Sequence, residues 1–229
     1  MAPVEWQVAV GDDATTAVFE PASNHRADAL FVCAHGAGGH MGDRSVVAVT
    51  TALRERGLDT VRFNFLYRTK RQGRPDPMPR LVACLNAVVA RVRAEIAPST
   101  LLLGGRSMGG RAASVSVSQG ARCDGLLLLA YPLHPPGQPG KLRVEHLASI
   151  PVPVLCLSGT NDPFATPALM ENTVAGLGDR WQLHWLAQAD HSFHVLKRSG
   201  RTNDEIVAEA ADVAAAWVSH LPGRVSHRV

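Results

Sequence analysis

The sequence predicts an α/β fold: a mostly parallel, eight-stranded sheet with helices on both faces and no substantial cap domain. Three observations point to it. From residue 29 onward, short apolar runs alternate with stretches of helical spacing. Runs such as Ala29–Ala34 and Gly125–Ala130 are apolar at nearly every position, as strands buried on both faces are. A length of 229 residues suits one such domain, expected over residues 1–222, better than two.

The elements follow in order. Glu5–Val10 and Thr15–Glu20 are strands joined at Gly11-Asp12-Asp13, a hairpin that opens the sheet. Ala29–Ala34 is the third strand and runs into the glycine-rich loop His35-Gly36-Ala37-Gly38-Gly39-His40. Asp43 is the expected cap of a helix whose inward stripe is Val46, Val49 or Thr50, and Leu53, with Gly57 as its stop. Thr60–Phe65 is the fourth strand. Residues 66–79 are polar, basic and proline-rich, which predicts a loop. Leu81, Leu85, Val88, Val92 and Ile96 then recur every three to four residues, the clearest amphipathic helix so far.

Thr100–Gly104 is the fifth strand. The helix after it, from Ser107 to about Gln119, is closed by Gly120 and carries Ala112, Ala113, Ser114 and Ser116, small enough to approach a sheet closely. Gly125–Ala130 and Val152–Ser158 are the sixth and seventh strands. Between them, Tyr131–Lys141 holds four prolines and no periodicity, and the whole interval of about twenty residues is too short for a helical cap. Thr166-Pro167 supplies an N-cap and first residue for a helix ending near Gly178, and Gln182–Leu186 is the eighth strand. Thr202-x-x-Glu205 has capping-box spacing and opens a closing helix with Ile206, Ala210, Val213, Trp217 and Leu221 inward and Pro222 as its stop. Residues 223–229 are expected to be a flexible tail.

Composition narrows the function. The net charge of +3, with Lys and Arg scattered outside Arg68–Arg74, gives no basic face for nucleic acid. No apolar run approaches the ~20 residues that cross a membrane, and Met1–Val10 lacks the basic start and apolar centre of a signal peptide. Cys33, Cys84, Cys123 and Cys156 are widely spaced, which suits free thiols in a reducing cytoplasm rather than disulfides or a zinc site. His191-x-x-His194 lacks a third ligand, so no metal and no cofactor is expected.

The chemistry centres on Gly105-Arg106-Ser107-Met108-Gly109, between the fifth strand and its helix. This is the spacing of a nucleophile elbow, where a sharp strand-to-helix turn exposes a serine and the flanking glycines let backbones approach. A serine hydroxyl needs a base, and histidine oriented by a carboxylate is the usual one. Asp162 follows the seventh strand and His191 the eighth, so nucleophile, acid and base all fall on loops at the C-terminal ends of strands. Asp190 is a rival acid, but a residue adjacent in sequence rarely faces its neighbour's ring. The oxyanion donors expected are the backbone N–H of Met108 and that of Ala37, with Gly38 as second choice. His35 is expected to stiffen the loop by hydrogen bonds.

These strings carry a resemblance. From about residue 4 to residue 221 the chain resembles the α/β-hydrolase superfamily, and its small size, missing cap and His35-Gly36-Ala37-Gly38-Gly39 loop resemble the dienelactone-hydrolase-like group. Gly105-Arg106-Ser107-Met108-Gly109-Gly110-Arg111, Phe63-x-Phe65-x-Tyr67-Arg68 and Gly73-Arg74-Pro75-Asp76-Pro77 resemble a narrower branch. That branch holds the third subunit of the eukaryotic non-specific-lethal complex, testis-expressed relatives and bacterial hydrolases of unassigned substrate. The resemblance implies a serine hydrolase. Dienelactone hydrolases carry a cysteine nucleophile where this chain has Ser107, so it does not imply dienelactone activity.

The expected function is therefore a cytoplasmic serine esterase or thioesterase for small to medium acyl substrates, working through an acyl-enzyme. A binding or scaffold protein on the same fold, or a peptidase or amidase, are the alternatives. Haloalkane dehalogenation is disfavoured because it would need an aspartate at position 107. Arg68, Arg74 and Arg111 are candidates to hold a substrate carboxylate or phosphate. A solvated loop, with Arg111 paired to Asp76 or another carboxylate, is the competing and favoured reading. The oligomeric state is left open.

Overall fold

The computed structural model describes residues 2–23 and 29–221; the expected helix stop at Pro222 and tail at 223–229 lie outside the described residues. The strands are β1 (Val4–Val10), β2 (Asp13–Glu20), β3 (Ala29–Ala34), β4 (Leu58–Phe63), β5 (Leu101–Arg106), β6 (Gly125–Leu129), β7 (Val154–Gly159) and β8 (Trp181–Leu186). They form one sheet in the order β1-β2-β4-β3-β5-β6-β7-β8, antiparallel at the β1–β2 and β2–β4 pairs and parallel elsewhere.

The helices are α1 (Arg44–Glu55), α2 (Leu66–Thr69), α3 (Met78–Glu95), α4 (Met108–Ser118), α5 (Pro167–Ala175) and α6 (Asn203–Ser219). Strand side chains alternate between two cores. Leu30, Val32 and Ala34 of β3 face the layer built by α3 and α4, while Phe31 and Cys33 face α1 and α6. β5, β6 and β7 alternate likewise, with Leu103, Leu128 and Cys156 on one side and Leu102, Leu127 and Leu157 on the other. Burial on both faces is why these strands read as continuous apolar runs.

Strand order positions the site. From β3 the chain crosses through α1 to β4 on one side of it, and later through α3 to β5 on the other. The loops leaving β3 and β5 therefore diverge at a switch point, and the crevice between their C-terminal ends is where ligands of such sheets bind.

Several boundaries differ from expectation. The fourth strand lies two residues earlier, over Leu58–Phe63, in parallel register with all of β3. Residues 66–79 are not all loop: Leu66 and Tyr67 are buried in the short α2, and α3 begins at Met78 with Pro79 in its first turn. Two apolar residues ahead of a basic run are too few to show periodicity. Asp43 precedes α1 but its side chain makes no cap; its carboxylate turns back to accept the His40 N–H at 2.9 Å. Both halves of the Thr202 capping box form, Thr202 Oγ1 accepting the Glu205 N–H at 3.2 Å and the Glu205 carboxylate accepting the Thr202 N–H at 2.7 Å. Between β6 and β7 the only helical turn is a 3-10 segment at Leu147–Ser149, so no helical cap is inserted there.

Candidate active site

Ser107 sits at the turn from β5 into α4 with φ 51° and ψ −115°, a backbone conformation that costs a non-glycine residue about 1–3 kcal/mol. The flanking glycines make the turn possible. Gly105 has φ 133°, and a Cβ on either Gly105 or Gly109 would be driven into the Ala34 carbonyl of β3. The elbow is pinned on its far side, where the Ser107 N–H donates to the Leu129 carbonyl at 2.9 Å.

The residues expected to act together meet. His191 Nε2 lies 2.9 Å from Ser107 Oγ, and His191 Nδ1 lies 2.7 Å from Asp162 Oδ2. The Asp162 side chain is fully buried, and its Oδ1 accepts the Phe164 N–H at 2.8 Å. A carboxylate only accepts, so Nδ1 carries the proton and Nε2 is left to accept the serine hydroxyl hydrogen. The Phe164 ring stands edge-on to the imidazole with centroids 4.6 Å apart. Asp190, the rival acid, is spent on its own turn, its Oδ1 accepting the Ser192 and His194 N–H groups at 2.7 and 3.0 Å.

Arg106, which no spacing in the sequence marks as a site residue, ties the elbow to the histidine loop. Its guanidinium donates to the His191 carbonyl at 2.7 Å, to Ser192 Oγ at 3.0 Å and to Ser45 Oγ at 2.7 Å. Desolvation holds it below the ordinary guanidinium value. Its position inside the Gly-x-Ser motif was the one available signal.

The loop after β3 packs against the elbow, since a Cβ built on Gly36 would lie 3.6 Å from Ser107 Cβ. His35 holds this loop as expected: Nδ1 donates to the Gly36 carbonyl at 2.8 Å and Nε2 accepts the Phe65 N–H at 3.1 Å. Burial pushes its imidazole down to about 4, so it is neutral near pH 7. Ala37 and Met108 both line the cavity beside Ser107, and Met108 opens α4, where first-turn N–H groups have no partner within the helix.

The cavity has a volume of about 660 Å³. Of the three arginines expected to hold a substrate anion, Arg111 lines it, whereas Arg68 and Arg74 are not among its walls, and neither is Gly38, the second choice for an oxyanion donor and a further candidate to touch substrate. Gly38 supplies a turn at φ 73°, and Arg74 is exposed. The favoured pairing of Arg111 with Asp76 does not form: Asp76 accepts the Tyr67 N–H at 2.9 Å and lies 3.6 Å from Arg80 Nε. Arg143, unmarked in the sequence because it follows a proline-rich segment without periodicity, joins Arg111 in the wall. No cysteine is among the residues lining the cavity; all four are free thiols, and burial pushes each up to about 12. Among the described residues, no three His, Cys, Asp or Glu side chains are grouped to hold a metal ion, and no helix is long and apolar enough to cross a membrane.

Comparison with known proteins agrees with this architecture. An α/β serine hydrolase without a lid from Xanthomonas campestris superposes with a TM-score of 0.77 at 21% identity, covering 98% of each chain. An α/β serine hydrolase homologue from Coxiella burnetii gives 0.76 at 21% identity, covering 95% of this chain and 98% of its own. A dienelactone hydrolase from Anabaena variabilis gives 0.73 at 19% identity, covering 96% and 99%. A family model described as an alpha/beta hydrolase domain matches residues 27–219, which takes in the whole parallel part of the sheet and every loop at the crevice. The chain is a hydrolase by fold and belongs to the alpha/beta hydrolase domain family.

Proposed function

We propose that this hydrolase cleaves carboxylic esters or thioesters of small to medium acyl substrates, with Ser107 as nucleophile, His191 as general base and then acid, and Asp162 as the group that orients His191. One observation carries the reading: the unbroken relay from buried Asp162 through His191 to the Ser107 hydroxyl, at 2.7 and 2.9 Å. As Ser107 Oγ attacks the carbonyl carbon, its proton passes to His191 Nε2, and Asp162 stabilises the imidazolium. The tetrahedral oxyanion is received by the Met108 and Ala37 N–H groups. Collapse expels the alcohol or thiol, which takes the proton from His191 and leaves an acyl-serine. Water, deprotonated by His191, then attacks the acyl carbon and regenerates the serine.

The cavity supports this substrate size, because about 660 Å³ is in the range of about 300–1,000 Å³ typical of small-molecule sites. The uncapped crevice favours accessible esters over long buried chains. Four free thiols support a reducing, cytoplasmic setting. The test is a chain-length series of p-nitrophenyl esters and matching thioesters, assayed with wild type and Ser107→Ala. Turnover that falls by about 10³ or more in the variant is expected. Absence of turnover across the panel by folded wild-type protein would favour a binding or scaffold role instead.

A further inference from the structure

Two guanidinium groups in the wall of this cavity are in no ion pair among the described residues, although the carboxylates of Asp43 and Asp76 share that wall. Arg111 lies one helical turn after Ser107 on α4, and Arg143 comes from the segment between β6 and β7; both face the space that Ser107 and His191 face. Among the described residues neither side chain makes an ion pair or a hydrogen bond, and Arg111 Nε is buried without a partner. The carboxylates nearby are engaged elsewhere. Asp76 is held by Tyr67 and Arg80, and Asp43 accepts the His40 N–H at 2.9 Å and lies 3.2 Å from the His40 imidazole. Arg106 is the contrast, a third arginine at the same cavity whose donors are used by Ser45, His191 and Ser192.

Both arginine backbones are fixed. The Arg143 N–H donates to the Leu133 carbonyl at 2.7 Å, its carbonyl accepts the Tyr131 hydroxyl at 3.0 Å, and the Arg111 carbonyl accepts the Ser114 hydroxyl at 2.9 Å. Burial, and next the charge of Arg111, hold Arg143 below the ordinary guanidinium value, so the two cations sense each other. Like charges taken partly out of water without an anion are costly, and a planar fork of donors matches a carboxylate or phosphate oxygen pair. The cost is removed when a ligand brings the anion.

We propose that Arg111 and Arg143 form an anion subsite that receives a carboxylate or phosphate borne by the substrate, away from the bond that is cleaved. The subsite rests on the esterase reading above and specifies it: the preferred ester is an anionic one, such as the half-ester of a dicarboxylic acid.

The experiment compares kcat/KM for mono-p-nitrophenyl glutarate, the matching ω-phosphono ester and neutral p-nitrophenyl pentanoate. Wild type should favour at least one anionic ester over the neutral one by about 10- to 100-fold, the effect of charge-assisted hydrogen bonds. The anionic-to-neutral ratio should fall about tenfold or more in Arg143→Gln and in Arg111→Gln, and less in Arg143→Lys. Being a ratio, it reads correctly even when a variant folds in low yield. A wild-type ratio near one, or a ratio unmoved by both glutamine substitutions, overturns the subsite. Calorimetric binding of free glutarate and of inorganic phosphate to Ser107→Ala gives a readout independent of turnover, and binding that survives Arg143→Gln overturns it too. Ser107-dependent turnover without anion preference removes the subsite alone; anion binding without turnover of any ester removes the esterase reading and leaves the subsite.

Discussion

Acidification should weaken the fold through His35, and the size of the effect follows from its surroundings. The ring is fully buried, Nδ1–H donating to the Gly36 carbonyl and Nε2 accepting the Phe65 N–H, so a second proton has no acceptor and would evict a backbone donor. Its folded value of about 4 lies below the free value of 6.5. Between these two the unfolded chain binds the proton and the folded chain does not, so stability falls as pH drops through that window. From pH 7 to pH 5 the difference amounts to about 2 kcal/mol for this one group, and it approaches about 3 kcal/mol near pH 4. His35→Gln removes the titration. Urea unfolding of both proteins at pH 7 and pH 5 should show wild type losing about 2 kcal/mol more than the variant, the other histidines cancelling in the comparison. Equal losses would refute the assignment of His35 as a buried neutral anchor.

Three further outcomes follow from the same geometry. Asp162→Asn should lower kcat by about 10⁴, because a neutral amide no longer fixes the imidazole tautomer; steady-state kinetics with p-nitrophenyl acetate checks it, and a loss under tenfold would place the orienting group elsewhere. Arg106→Met breaks three hydrogen bonds and frees the His191 loop, so kcat should fall about 10- to 100-fold with little change in KM, as expected for a misplaced base. Gly105→Ala forces a Cβ into the Ala34 carbonyl at an unfavourable φ and should cost more than about 2 kcal/mol in urea unfolding; an unchanged midpoint would mean that β3 and β5 are not so closely paired there.

The sheet was legible because its strands are buried on both faces. The apolar run alone marks Ala29–Ala34, which has those bounds in the structure, and β6 ends within one residue of its expected limit. The positions of Ser107, Asp162 and His191 were legible because a parallel sheet delivers every strand end to one edge, so order in sequence becomes proximity in space. What stayed hidden depends on side-chain direction. Arg68 and Arg74 share a basic loop with no periodicity to say which way each points, and neither lines the cavity, whereas Arg143 does. The Arg111–Asp76 pairing failed because Asp76 had a nearer partner in the backbone N–H of Tyr67, offered by a four-residue helix too short to leave a pattern. Arg106 bridges to residue 191 across the sheet edge, a contact 85 residues long that no local spacing encodes.

The most direct test of Ser107 as the nucleophile is covalent labelling with a fluorophosphonate, read by intact mass and peptide mapping. Wild-type protein should take up one adduct, mapped to Ser107, while Ser107→Ala stays unlabelled and Asp162→Asn reacts far more slowly. Equal labelling of wild type and Ser107→Ala, or an adduct mapped to another residue, would contradict the assignment.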